Sequence, residues 1–134
     1  MKLKNNTMIV RIIMLLILIS GFVHAQTADE YYESGRNYMN NGDFRSAIED
    51  FTKALEIDSL YVEAWTARGD AWEEIGIYGE ATEDWMQAYY LHGNDRFDEG
   101  SFADACRYWS MAAEMGHPEA KSLYRNHCKR KAKN

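Results

Sequence analysis

Cys106, Cys128, His117 and His127 are the residue types that hold zinc, and they fall close together near the C-terminus of a 134-residue chain. Zinc sites pair their ligands at short set spacings, and none of those spacings is present here. Neither a metal nor a cofactor is expected. The two thiols have a second chemistry open to them. If the chain turns at Gly116 and His117, Cys106 lies 10 residues before the turn and Cys128 lies 11 after it. Antiparallel helices would bring them to one level. A disulfide needs its Cβ atoms within about 4.5 Å, and helix phase could still point the two apart. Both outcomes stay open. A bridge closing that loop would stabilise by roughly 3 kcal/mol on the chain-entropy model and would pin the terminal segment.

Paired carboxylates could serve as acid and base, and Glu73-Glu74 and Glu83-Asp84 are adjacent. Consecutive helix residues point about 100° apart, however. These acids are expected on a solvated helix face. No nucleophile stands beside a base, and no glycine-rich phosphate loop occurs. The chain reads as non-catalytic. His92 and His117 are expected at or just beyond helix ends, where a cation suits the helix dipole.

The overall charge narrows the partners. Lys2, Lys4 and Arg11 precede or open an apolar run from Ile12 to Val23, and small residues follow around Ala25. That three-part order is the mark of a secretory signal peptide over residues 1–25, with an uncleaved anchor as the alternative. Residues 26–134 then hold 12 Lys and Arg against 21 Asp and Glu. Lys121, Arg125, Lys129, Arg130, Lys131 and Lys133 lie in the tail, so residues 26–120 carry a net charge of −15. Such a body repels nucleic acid. An exported protein is expected, periplasmic or secreted, with no membrane span once the leader is removed.

Positioning elements follow from an internal repeat. At an offset of 34, Tyr31, Gly35 and Tyr38 align with Trp65, Gly69 and Trp72. Gly42 and Phe44 align with Gly76 and Tyr78, and Ala47, Phe51 and Ala54 with Ala81, Trp85 and Ala88. The i, i+4, i+7 spacing of each aromatic-glycine triplet forms one helical stripe. A helix glycine costs about 1 kcal/mol, so its reuse at one phase implies close helix packing. The glycines after Asn41 and Ile75 suit the left-handed residue that ends a helix. Two helices per unit result.

This pattern resembles the tetratricopeptide repeat family, with residues 28–61 and 62–93 as two units. Ser34 and Arg68 replace a leucine of the family pattern, and Ser59 and Gly93 replace its closing proline; both changes are expected to weaken packing between units. Gly100, Phe102, Ala105, Trp109 and Ala112 restate the second half of a unit over residues 94–117, leaving Asn94 to Glu99 for its first helix. AAEMGH, residues 112–117, resembles the end of a Sel1-type repeat. Pro118 suits a first helical turn, so residues 118–130 are expected to form a cap, with Ala120, Leu123, Tyr124 and His127 inward and Lys121, Arg125 and Lys129 in water. The expected fold is an all-α superhelix of two full hairpins, a truncated third unit and a capping helix.

The resemblance also implies a ligand groove. Its positions here are Asp29, Tyr32, Arg36, Met39 and Asn40 in the first unit, and Glu63, Thr66, Asp70, Glu73 and Glu74 in the second. Family members that clamp a terminal carboxylate use lysines and asparagines there, an arrangement this chain lacks. A basic or mixed peptide approached through Tyr32 and Met39 fits the acidic wall better. The expected function is protein binding in this groove. The alternative is a structural subunit or self-associating module of a cell-envelope assembly.

Overall fold

A computed structural model describes residues 26–129. The expected leader and the final cations from Arg130 lie outside the described residues. The chain forms α1 (Ala28–Asn40), α2 (Phe44–Ile57), α3 (Val62–Glu74), α4 (Tyr78–Asp98), α5 (Phe102–Glu114) and α6 (Pro118–Leu123), and ends in a widened π-type turn, Tyr124–Cys128. Among the described residues there are no strands, and each helix packs on its neighbours in sequence. The architecture is all-α, a stack of helical hairpins.

Local chemistry sets the helix ends. Thr27 accepts from the backbone of Glu30 while the Glu30 side chain accepts from Thr27, a reciprocal capping box that starts α1. Asp43 caps α2 through the Ser46 amide. Pro118 occupies the first turn of α6. Gly42, Gly76 and Gly100 leave the preceding helices at φ of 76°, 78° and 79°, where a side chain would be strained.

The core is a chain of small clusters. Ala47, Ile48, Phe51 and Ala71 form one, Ala54, Leu55 and Ala64 the next, then Val62, Ala88 and Leu91, and finally Ala105, Trp109, Ala112 and Ala120. Alanines let the helices approach, and Phe51 and Trp109 fill the space between them. A Cβ at Gly35 would lie 2.6 Å from the Phe51 ring and one at Gly69 2.7 Å from Trp85. The stripe glycines are contact points.

The third unit departs from the sequence expectation in one respect. The helix does not close at Gly93; α4 runs on to Asp98. Gly93 faces Trp109, as Gly35 faces Phe51 and Gly69 faces Trp85, and a Cβ there would overlap the indole. The second helix of one unit and the first of the next are therefore one rod. The spacing of the packing glycines drops from 34 to 24, which is how the third unit is shortened.

Ser34 and Arg68, which stand where weakened packing between units was expected, both make polar contacts. Ser34 Oγ donates to Asp50 Oδ2 at 2.6 Å across α1 and α2. Arg68 Nε and Nη2 each donate at 2.8 Å to Asp84 on α4, and Nη1 reaches Thr52 of the preceding unit at 3.1 Å. Asp84 is accordingly buried at 4% exposure rather than solvated, because the guanidinium satisfies both of its oxygens. Glu83 beside it is exposed.

Candidate functional site: an acidic face and its pockets

Cys106 and Cys128 are bridged, with Cα atoms 5.7 Å apart. Cys128 is the last residue of the π-type turn that begins at Tyr124. Ala120 is buried, Leu123 and Tyr124 are half-buried, and Lys121, Arg125 and Lys129 are exposed. His127 is exposed, yet its ring lies 5.1 Å from Phe97 and 5.9 Å from Trp109. Phe97, Phe102, Ala103, Cys106, His127 and Cys128 enclose an apolar pocket of about 380 Å³.

Of the two histidines expected at helix ends, His117 does follow α5, its amide donating to the Ala112 carbonyl at 2.9 Å, whereas His92 does not end a helix. His92 is inside α4 and stacks on Tyr108 at 5.0 Å. His117 is the N-terminal cap of α6, buried at 7% exposure and stacked on Tyr90 at 4.2 Å. Its Nδ1 accepts from the Ala120 amide at 3.4 Å, and Nε2 sits 3.3 Å from Gln87 Oε1. Nδ1 also lies 3.2 Å from a Glu119 carboxylate oxygen, so the amide contact calls for a ring protonated on Nε2 and the carboxylate contact for a proton on Nδ1. Burial lowers its pKa, partly opposed by Glu119. It is a packing piece and not a dipole-bound cation.

The groove residues divide into three groups. Asp29, Tyr32 and Glu63 come together around Tyr61, whose ring is 5.0 Å from that of Tyr32. Burial pushes the Tyr61 phenol well above its usual range, and its hydrogen bond to Asp29 pushes it further. Tyr32 is also raised by burial, with the Arg36 guanidinium opposing and Glu63 adding to it. Arg36 pairs with Glu33 at 3.3 Å and lies over the Tyr32 ring. Met39 is drawn into the first core cluster, whereas Asn40 is exposed.

Thr66 and Asp70 form the second group. With Trp85, Ala88 and Tyr89 they line a pocket of about 320 Å³ between α3 and α4. Asp70 Oδ1 accepts from Trp85 Nε1 at 2.9 Å, and the Thr66 hydroxyl donates back to the Val62 carbonyl at 3.1 Å. Glu73 and Glu74 are the third group, exposed at the end of α3. Sequence reasoning missed Tyr61, Trp85, Ala88 and Tyr89 as parts of this face. Tyr61 and Tyr89 are aromatic residues next to the repeat stripe, which is the one signal that could have found them.

A family model described as a tetratricopeptide repeat matches residues 32–90. Tetratricopeptide repeat protein 16 of Macaca fascicularis is 26% identical over a stretch that takes in 82% of this chain, which spans 14% of that relative's length. An uncharacterized protein of Methanocaldococcus jannaschii is 39% identical over 42% of this chain and 65% of its own. Among solved structures, the first TPR of Spaghetti (RPAP3), bound to an HSP90 peptide, is 22% identical at a TM-score of 0.45, covering 82% of this chain and 98% of that one.

Proposed function

We propose that the chain, which matches a tetratricopeptide repeat model over residues 32–90, is an exported, non-catalytic helical array that binds a basic or mixed-charge segment of another protein. Its binding face is formed by α1, α3 and the adjoining part of α4. One observation carries this reading. Glu63, Asp70, Glu73 and Glu74 are exposed on α3, and none of them has an ion-pair partner among the described residues. Arg36, Lys53, Arg68, Arg96 and Arg107 are engaged by Glu33, Asp50, Asp84, Glu99 and Asp104 instead. Unneutralised carboxylates on one face sustain a negative potential that draws cations and repels anions.

Export to the periplasm or beyond is supported by the order of cations, apolar run and small residues at the N-terminus. The Cys106–Cys128 bridge supports it as well, since such bonds persist in oxidising compartments. Among the described residues no helix is long and apolar enough to cross a membrane.

Affinity capture with the Glu63→Lys, Glu73→Lys, Glu74→Lys variant tests the groove. Partners with basic segments should be retained by the wild-type chain and lost by the variant, with helical circular dichroism unchanged. Capture that survives the reversal overturns the reading. Self-association, as a module or subunit of an envelope assembly, is the second reading, and it rests on Phe102, 52% exposed beside the apolar pocket at the other end of the stack. If Phe102→Ser dissolves a defined oligomer while groove reversal leaves it intact, that reading takes the place of the first.

A further inference from the structure

Three rings occupy equivalent places against the packing glycines, and the residue that follows each glycine differs. Phe51 packs on Gly35, and Arg36 follows; Phe51 has no N–H and needs no acceptor. Trp85 packs on Gly69, and Asp70 accepts its Nε1 proton at 2.9 Å. Trp109 packs on Gly93, and Asn94 Oδ1 accepts its Nε1 proton at 3.0 Å. A neutral amide thus does for Trp109 what a carboxylate does for Trp85. The charge of Asp70 exceeds what the fold requires.

That surplus charge stands at the wall of a pocket. Thr66, Asp70, Trp85, Ala88 and Tyr89 enclose about 320 Å³, with the rings of Trp85 and Tyr89 and the methyl of Ala88 supplying apolar and aromatic surface. Among the described residues no cation pairs with Asp70. One of its oxygens is engaged by the indole, and the other has no hydrogen bond among the described residues. A carboxylate beside two aromatic rings is matched by a cation on an apolar stem, which satisfies the acid and lays its methylenes or planar head against the rings.

We propose that this pocket receives an arginine side chain of the partner segment, with Asp70 as the charge partner and Trp85 and Tyr89 as the walls. The proposal rests on the groove reading above and gives it a specificity position. Arginine is the occupant because its planar fork can reach the open oxygen of Asp70 while stacking on a ring, which an ammonium does not do.

The test uses the full chain and two capped peptides, hexa-arginine and its neutral isostere hexa-citrulline. Binding is followed by titration calorimetry and by the NMR signal of the Trp85 indole N–H. Hexa-arginine should bind and shift that signal, and hexa-citrulline should do neither. Asp70→Asn should weaken binding at least tenfold with an unchanged melting temperature, because an amide oxygen accepts from the indole as Asn94 does. Thr66→Lys, which sets a cation at the pocket, should weaken it as much. Glu83→Gln, an exposed acid outside the pocket, should change affinity less than twofold. The pocket is overturned if Asp70→Asn binds like wild type, or if it and Glu83→Gln weaken binding equally. If only Glu63→Gln, Glu73→Gln and Glu74→Gln together abolish binding, the groove stands without the pocket. If hexa-arginine does not bind the wild-type chain at millimolar concentration, both fall.

Discussion

Glycine has opposite meanings at two positions in this chain. Gly69 leaves no room for a Cβ against Trp85, whereas Gly79, early in α4, has nothing within 4 Å of where a Cβ would stand. Gly69→Ala should lower unfolding free energy by about 1–3 kcal/mol through overpacking, net of its gain in helix propensity. Gly79→Ala should raise it by about 0.5–1 kcal/mol. Urea unfolding of the two variants should move in opposite directions. The first glycine was legible in the sequence because flanking aromatics repeat with it. Asp84 was not read correctly, although the same offset of 34 aligns it with Asp50 and marks both as internal partners of the residue before a packing glycine. Arg68→Leu strands the buried Asp84 charge. It should cost about 3 kcal/mol, and adding Asp84→Leu should recover most of that in a thermal melt.

At the level of elements, the hairpins were readable because helical spacing, the left-handed glycines and the alanine-aromatic-alanine pattern all agreed. The length of α4 was not. Gly93 falls where a unit of 34 should end, and only the position of Trp109, 16 residues further on, shows that it repeats Gly35 and Gly69 instead. His117 escaped for a related reason: a turn residue in sequence became a buried cap once α6 folded back on α4 and α5. Its lowered pKa gives the turn a pH dependence. The unfolded chain takes up the proton near pH 6.5 while the folded chain resists it, so the contribution of this group is complete above about pH 6.5 and declines as pH falls below it. Protonation also removes the acceptor that caps Ala120. Unfolding midpoints measured from pH 8 to pH 5 should fall in the wild type over the acidic part of that range, and less steeply in His117→Asn, which keeps a cap without the titration.

For the molecule as a whole, the array is short and closed at one end by the bridge from Cys106 to Cys128 over 22 residues. Reduction should lower global stability by about 3 kcal/mol on the chain-entropy model. Amides of α6 should then lose hydrogen-exchange protection before those of α2 and α3, since the bridge pins the terminal turn that follows that helix. The groove was legible only through the resemblance, which supplied α1 and α3 positions. It did not supply the wall contributed by Trp85, Ala88 and Tyr89, because the positions it names lie on the first helix of each unit and these residues lie on the second. The continuity of α4 also bears on how the array carries load. Tyr78–Asp98 is a strut with no joint at Gly93, so the second and third units have no loop there on which to hinge.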